Sequence, residues 1–307
     1  MKKGIYLITG CAGFIGSNLV EKIYKKHKLI LVDDLSSGST NTLPKELRKK
    51  LIKKKIQDIK KFDTKKIDGI FHLAAQSSVP LSLKNFHDSS ANNIESSLKI
   101  FELSKKFKAP IVYASSSAIY GNLPAGSDKL NKFSIKSPYA QDKLTIENYA
   151  KMSFEVFKTP SVGLRLFNVY GPGQKFNSSY GAVIPIFISR MLKNKSVVIN
   201  GGFQTRDFIY VEDVIEIFLR TMQKIQKQKS YKIFNLGTGR SVNINSLYNL
   251  IKVNIGANSK VIRKRLDKFD PRKSCGSHKN IIKFLKLKKY NFTKLENGLE
   301  MTINYFL

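Results

Sequence analysis

The tightest constraint on this chain is a loop near its start. An apolar run at residues 5–8 leads into Thr9-Gly10-Cys11-Ala12-Gly13-Phe14-Ile15-Gly16. An apolar stripe at helical spacing, Leu19, Val20, Ile23 and Tyr24, follows directly. Strand, glycine loop and helix in that order open a βαβ unit, and glycines there let the backbone approach an anion at a helix N-terminus, where unpaired N–H groups and the helix dipole favour negative charge. The next apolar run, 29–32, ends at Asp33, 17 positions after Gly16. A carboxylate at that point can accept hydrogen bonds from a ribose and would repel a 2′-phosphate, which favours NAD over NADP. Gly10, Gly13, Phe14, Ile15, Gly16 and Asp33 are the expected cofactor contacts.

Further strands are expected at 70–74, 111–114 and 162–167, all nearly continuous apolar runs, as in a sheet covered on both faces. Helices are expected at about 92–107 and 139–157, with Ile94, Leu98 and Phe101 as one stripe. Such alternation predicts an α/β fold, a Rossmann-type doubly wound parallel sheet. After about residue 170 the strand signals scatter and Gly, Asn and Ser become more frequent. A smaller C-terminal α/β substrate-binding domain is expected there, giving a division at 1–170 and 171–307. Part of 205–240 is a candidate for return to the first domain, because the run Ile233-Phe234-Asn235-Leu236 has strand character.

The net charge of +32 over 307 residues raises the question of polyanionic partners. Only nine of the 54 basic residues are arginine, the type favoured for clamping phosphates and reading bases. Runs such as Lys53-Lys54-Lys55 and Lys286-Leu287-Lys288-Lys289 lack interleaved stacking aromatics. These observations argue against nucleic acid and for solvated lysine-rich faces with some steering of an anionic substrate. No stretch approaches the roughly 18 apolar residues of a membrane span, and the first residues do not form a secretory signal. Cys11 and Cys275 lack the spacing of a metal site or a disulfide framework. A cytoplasmic enzyme without a metal is the expectation.

Tyr-x-x-x-Lys places two side chains on one helix face, but it occurs four times here, at Tyr24/Lys28, Tyr139/Lys143, Tyr248/Lys252 and Tyr290/Lys294. Context selects Tyr139 and Lys143. They follow the helix-start signal Ser137-Pro138, and Tyr139 lies 22 residues after Ser117, the last of a serine triplet at a strand end. The other three copies are expected on helix surfaces. Taking hydride from an alcohol requires loss of its hydroxyl proton, and a phenol becomes a useful base where neighbouring positive charge favours phenolate.

The G-x-x-G-x-x-G spacing of Gly10, Gly13 and Gly16, together with Ser115-Ser116-Ser117-Ala118-Ile119-Tyr120-Gly121 and Ser137-Pro138-Tyr139-Ala140-Gln141-Asp142-Lys143, resembles the extended branch of the short-chain dehydrogenase/reductase family. Within it the resemblance is to the sugar-nucleotide epimerases. It implies Tyr139 as base and Lys143 as holder of the nicotinamide ribose. Ser117 is the implied hydrogen-bond partner or relay for the reacting oxygen. It also places adenine near Asp58 and Ile59 and the cofactor-facing turn at Ala74 and Ala75. Asn93 matches a structural asparagine of the family, and His72 reads as packing at a strand end.

On the substrate side, Leu164-Arg165-Leu166-Phe167-Asn168-Val169-Tyr170-Gly171 resembles the family's entry to its second domain, with Asn168 expected on the diphosphate. In Gln204-Thr205-Arg206-Asp207-Phe208 the resemblance gives Arg206 a phosphate, with ion pairing to Asp207 or Asp213 as the bland alternative. The backbone at Ala182 and Val183 is expected on uracil. Where relatives show Arg-x-Gly-Asp this chain has Asp267-Lys268-Phe269-Asp270, so the second phosphate arginine is displaced. Arg272 is a candidate for it, beside Arg263 and Arg265. Ser274 falls where pocket size is gated, and a small residue there predicts entry of an N-acetylhexosamine. His87 and His278 read as surface. Related dehydratases carry an Asp-Glu pair beside the serines and related decarboxylases a glutamate, while this chain has Ser116, Ser117 and Ala118. The resemblance thus implies reversible C4 epimerisation of a UDP-hexose through a 4-keto intermediate and bound NAD, in a homodimer joined by two helices per subunit. The alternatives are a UDP-glucuronate 4-epimerase, a decarboxylase or reductase on the same scaffold, or a non-catalytic NAD-binding protein that binds RNA.

Overall fold

The computed structural model describes residues 3–123, 127–128, 132–175, 182–267, 270–288 and 290–307. In chain order its strands are β1 (Ile5–Thr9), β2 (Lys28–Val32), β3 (Leu51–Ile52), β4 (Gly69–His72), β5 (Ile111–Ser116), β6 (Ser161–Leu166), β7 (Asn168–Tyr170), β8 (Val197–Asn200), β9 (Thr205–Tyr210), β10 (Tyr231–Leu236), β11 (Ser241–Asn243) and β12 (Val261–Lys264). The helices are α1 (Phe14–Ile23), α2 (Lys45–Arg48), α3 (Val79–Lys84), α4 (Phe86–Phe107), α5 (Pro138–Phe157), α6 (Val183–Leu192), α7 (Val211–Lys227), α8 (Ile244–Ile255), α9 (Lys279–Phe284) and α10 (Leu295–Phe306).

Seven strands form one sheet in the order β10-β6-β5-β4-β1-β2-β3. β1 lies parallel to both β2 and β4, β2 to β3, and β4 to β5. This is the expected Rossmann-type α/β sheet. The winding direction reverses between β1 and β4, so the loops leaving Thr9 and His72 flank the switch point where ligands of such sheets bind. The run at 233–236 is part of β10 and joins the sheet beside β6.

The chain packs as two compact units. The first comprises Met1–Ser116, Ser137–Arg165 and Ile215–Phe234, the second Ser117–Lys136, Leu166–Val214 and Asn235–Leu307. In the first, a buried core of Leu7, Ile70, Ile100, Ile111, Tyr113 and Ile146 joins the sheet to α4 and α5. In the second, β9 pairs antiparallel with β11 and parallel with β7, and β12 pairs parallel with β8. Its core is Tyr170, Phe187, Ile188, Leu247, Ile251, Leu299 and Ile303.

Local signals explain most element ends. α5 starts where Ser137 accepts a hydrogen bond from the Ala140 N–H at 3.2 Å, with Pro138 in the first helical position. α4 starts at Phe86, six residues before the expected 92, because its first turns are polar and carry no apolar stripe. Leu98 does not join Phe101 in the core; it is exposed. Among the described residues no helix is long and apolar enough to cross a membrane.

Candidate active site

The first unit places the glycine loop against the turn after β4. Gly10 adopts φ +69°, and a Cβ there would lie 2.6 Å from the Ala74 nitrogen. A Cβ on Gly16 would lie 2.0 Å from the Gly10 carbonyl oxygen, so α1 can approach the loop this closely only through glycine. α1 begins at Phe14 behind its N-cap Gly13, and no side chain caps it. The first-turn N–H groups of Phe14, Ile15 and Gly16 therefore face outward for an anion. Asp33 closes the cradle: Oδ2 accepts from the Ala12 N–H at 2.9 Å and Oδ1 from the Leu35 N–H at 2.8 Å. A carboxylate at this point is the acceptor type that a ribose hydroxyl needs. Ala74 and Ala75 are half-buried behind β4, Ile59 is buried, and Asp58 is exposed at the end of the 3₁₀ turn Ile56–Asp58. This donor set and the space left by the missing Cβ atoms fit a dinucleotide.

Behind the loop runs a buried chain of hydrogen bonds. Ser97 Oγ donates to the Asn93 carbonyl at 2.8 Å, so His72 Nε2 supplies the proton for its own 3.1 Å bond to Ser97. His72 Nδ1 is then left to accept from Thr9 Oγ1 at 2.7 Å. Burial, helped by Lys143, holds the His72 imidazole down at about 3, so the ring is neutral. Asn93 bonds both the N–H and the carbonyl of Gln76 and donates to Asp142 Oδ2 at 3.0 Å, tying the loop after β4 to α5. His72 is thus more than packing at a strand end.

The end of β5 meets one face of α5 residue by residue. Lys143 Nζ donates to the Ala114 carbonyl at 2.9 Å. Ser115 Oγ donates to Glu147 Oε1, and the Ser116 hydroxyl hydrogen-bonds to the Tyr139 phenol. Tyr139, Lys143 and Glu147 are spaced i, i+4 and i+8, one stripe of the helix. The serine bonded to Tyr139 is therefore Ser116, the last residue of β5, and not Ser117, which opens the 3₁₀ turn Ser117–Tyr120. The strand runs two residues past the expected 114, which moves the register by one serine. The electrostatics also depart from expectation. Burial raises the phenol of Tyr139, Ser116 pulls it down and Asp142 adds to the rise. Lys143, whose Nζ lies 5.7 Å from the Tyr139 ring centroid, is itself pulled down to about 8 by burial, against Asp142 and Glu147. The dyad is assembled with its phenol neutral.

Behind it, Glu147 forms a two-pronged ion pair with Arg165, Nε to Oε1 at 2.8 Å and Nη2 to Oε2 at 2.6 Å. Sequence reasoning assigned no role to either residue. Their signal was a glutamate four positions after Lys143, easily read as helix surface.

In the second unit Arg206 is buried and ion-paired, but its partner is Asp270 rather than Asp207 or Asp213; Nη1 also donates to the Thr205 carbonyl at 2.8 Å. Burial raises the Asp270 carboxyl while Arg206 lowers it. Asp207 points elsewhere and, fully buried, accepts from Thr238 N–H (2.9 Å), Thr238 Oγ1 (2.6 Å), Gly239 N–H (3.0 Å) and Gly276 N–H (3.1 Å). Burial raises this carboxyl too, against those hydrogen bonds. The Arg272 carbonyl and the Ser274 N–H pair with the backbone of Thr205, at 3.0 and 3.1 Å. That pairing brings half-buried Ser274 and exposed Arg272 alongside the start of β9. Arg263 instead bonds Asn245 Oδ1 at 3.1 Å. Asn168 is half-buried at the head of β7, and Ala182 and Val183 form the uncapped start of α6.

The remaining tyrosine–lysine copies are not helix surface. Tyr24 ends α1 and Lys28 opens β2, Tyr248 is buried and donates to the Ser259 carbonyl, and Tyr290 donates to Asp213. His87 is exposed, but His278 is half-buried against Phe292, ring centroids 4.7 Å apart. Among the described residues no group of three or more His, Cys, Asp or Glu converges on one point.

Comparison with known proteins identifies the family. The model of the NAD dependent epimerase/dehydratase family matches residues 6–237. Among solved structures, UDP-N-acetylglucosamine 4-epimerase from Methanobrevibacter ruminantium, in complex with UDP-N-acetylmuramic acid, is 34% identical with a TM-score of 0.91, covering 100% of this chain and 99% of that one. UDP-glucose 4-epimerase from Thermotoga maritima, with UDP-glucose, is 32% identical with a TM-score of 0.87, covering 98% of each chain. UDP-glucuronate 4-epimerase of Thermodesulfobacterium geofontis is 31% identical over 319 aligned positions, covering 98% of this chain and 96% of that protein.

Proposed function

The chain belongs to the NAD dependent epimerase/dehydratase family, and from that premise we propose that it interconverts UDP-hexoses with their C4 epimers. The carrying observation is the β5–α5 junction. Ser116 bonded to Tyr139 beside Lys143 supplies a proton path, and no carboxylate follows the serines to drive elimination or decarboxylation.

Bound NAD would supply the hydride acceptor for the sugar C4 and a positive ring whose field favours phenolate. Tyr139 accepts the proton of the C4 hydroxyl and later gives it back, and Ser116 stays on the reacting oxygen throughout. Lys143, held by the Ala114 carbonyl, offers its other protons to the nicotinamide ribose and its charge to the phenolate. The α1 N-terminus receives the pyrophosphate and Asp33 the adenosine ribose, with Asp58, Ile59, Ala74 and Ala75 bordering the dinucleotide. Arg206 takes a substrate phosphate, a task suited to its planar fork. Asn168 serves the same diphosphate, the backbone of Ala182 and Val183 the uracil, and Arg272 stands in for the displaced arginine. Ser274 leaves room for an N-acetyl group.

Purified protein given UDP-galactose, UDP-N-acetylgalactosamine or UDP-glucuronate should convert at least one to its C4 epimer, read by proton NMR, without added NAD and without net NADH. Inertness towards all three would refute the activity. The third substrate is in the panel because the UDP-glucuronate relative aligns over nearly the whole chain. A second copy of the chain is the partner we assign to the outer faces of α4 and α5. Phe86 (64% exposed), Val156 (61%) and Phe157 (45%) lie open there, together with Leu98 and Met152.

A further inference from the structure

The serine triplet has a member that the proton path does not use. Ser115 points its hydroxyl at Glu147 Oε1, the oxygen that also receives Arg165 Nε. Glu147 and Arg165 are 4% and 6% exposed, and the glutamate's backbone carbonyl accepts from Tyr231 Oη at 3.2 Å. Three successive positions of β5 are thus matched to three successive turns of α5, through a carbonyl to Lys143, a hydroxyl to Glu147 and a hydroxyl to Tyr139. Arg165, on β6, adds a second strand to the attachment.

We propose that the Glu147–Arg165 pair is a positioning device that locks the Tyr139–Lys143 face of α5 to the end of β5. The proposal rests on the 4-epimerase reading for its kinetic consequence and on geometry alone for its structural one. Two buried charges are a costly way to hold a helix: a well-packed neutral pair of similar volume usually stabilises a fold as well or better. What the ion pair adds is direction. Its fork geometry constrains the rotation and height of α5, where an apolar contact would tolerate sliding. Hydride and proton transfer need that accuracy, since a displacement of about 1 Å can cost about 100-fold in rate.

The test is the double variant Glu147→Gln with Arg165→Met, which removes both charges and orphans neither. Its unfolding midpoint and its bound NAD should match the parent, which separates positioning from folding. The kcat should fall by about tenfold or more while KM for the UDP-sugar stays within about twofold. A crystal structure of the variant should show the 2.9 Å contact from Lys143 Nζ to the Ala114 carbonyl lengthened or lost. Restoring the glutamate and placing lysine at 165 should recover part of the rate. An unchanged kcat, or an unmoved Lys143 contact, overturns the proposal. If the parent protein epimerises no UDP-sugar, the activity reading fails, and the Lys143 contact in the variant still decides the positioning role.

Discussion

Each unit buries one arginine among its described residues, and the two are held in opposite ways. Arg165 and its partner Glu147 are 6% and 4% exposed, and they meet through two parallel hydrogen bonds. Arg206 is 9% exposed, but its partner Asp270 is 41% exposed and grips it from one side. A pair sealed on both sides cannot exchange partners without leaving a bare charge in a dry interior. A pair open on one side can trade its carboxylate for an incoming phosphate oxygen with water present throughout. The first arrangement suits a fixed reference frame, the second the phosphate contact proposed for Arg206.

Substitutions can break or sharpen this contrast. The largest effect is expected at the residue the sealed pair serves. Tyr139→Phe should lower kcat by about three orders of magnitude, roughly 4 kcal/mol in the barrier, with NAD still bound after gel filtration. Near-normal turnover would remove the proposed base. Next, Arg165→Met alone leaves the Glu147 charge buried with no counter-charge, only the Ser115 hydroxyl, and should cost roughly 3–5 kcal/mol of stability, read from urea midpoints; a loss under about 1 kcal/mol would mean the pair is not sealed. Arg206→Ala should cost less stability than Arg165→Met, because Asp270 is open to water, but raise KM for the UDP-sugar about 10- to 100-fold. An unchanged KM would take that phosphate contact away.

The smallest effect is a pH dependence. Burial raises the Asp270 carboxyl, so the folded protein binds that proton more tightly than the unfolded chain. Its contribution therefore favours folding at low pH and is lost as pH rises through the raised value. Asp270→Asn should abolish this slope, which begins above the ordinary aspartate value of about pH 4, and identical slopes in variant and parent would contradict it.

The first unit was more legible than the second because its decisive constraints are local. A loop that tolerates no Cβ at Gly16 must write glycine, and a helix entered through Ser137-Pro138 carries its own start signal. The second unit is built from strands as short as the three residues of β7 and β11, whose sequences hold too few alternations to show a period. They exist because β9 lies between them. The pairing of Arg206 with Asp270 spans 64 positions and left no trace in spacing. Ser116 and Ser117 were confused for a subtler reason. In a run of identical residues, only the end of the strand decides which hydroxyl turns inward, and that end is set by pairing with neighbours.

Asp33 shows how preference and mechanics become inseparable. The same carboxylate that would discriminate against a phosphorylated adenosine also fastens Ala12 and Leu35 on either side of it. Redesigning the enzyme for the other dinucleotide by removing this acid would unfasten the loop in the same stroke. A successful conversion has to rebuild two backbone anchors before it gains anything from a new cation.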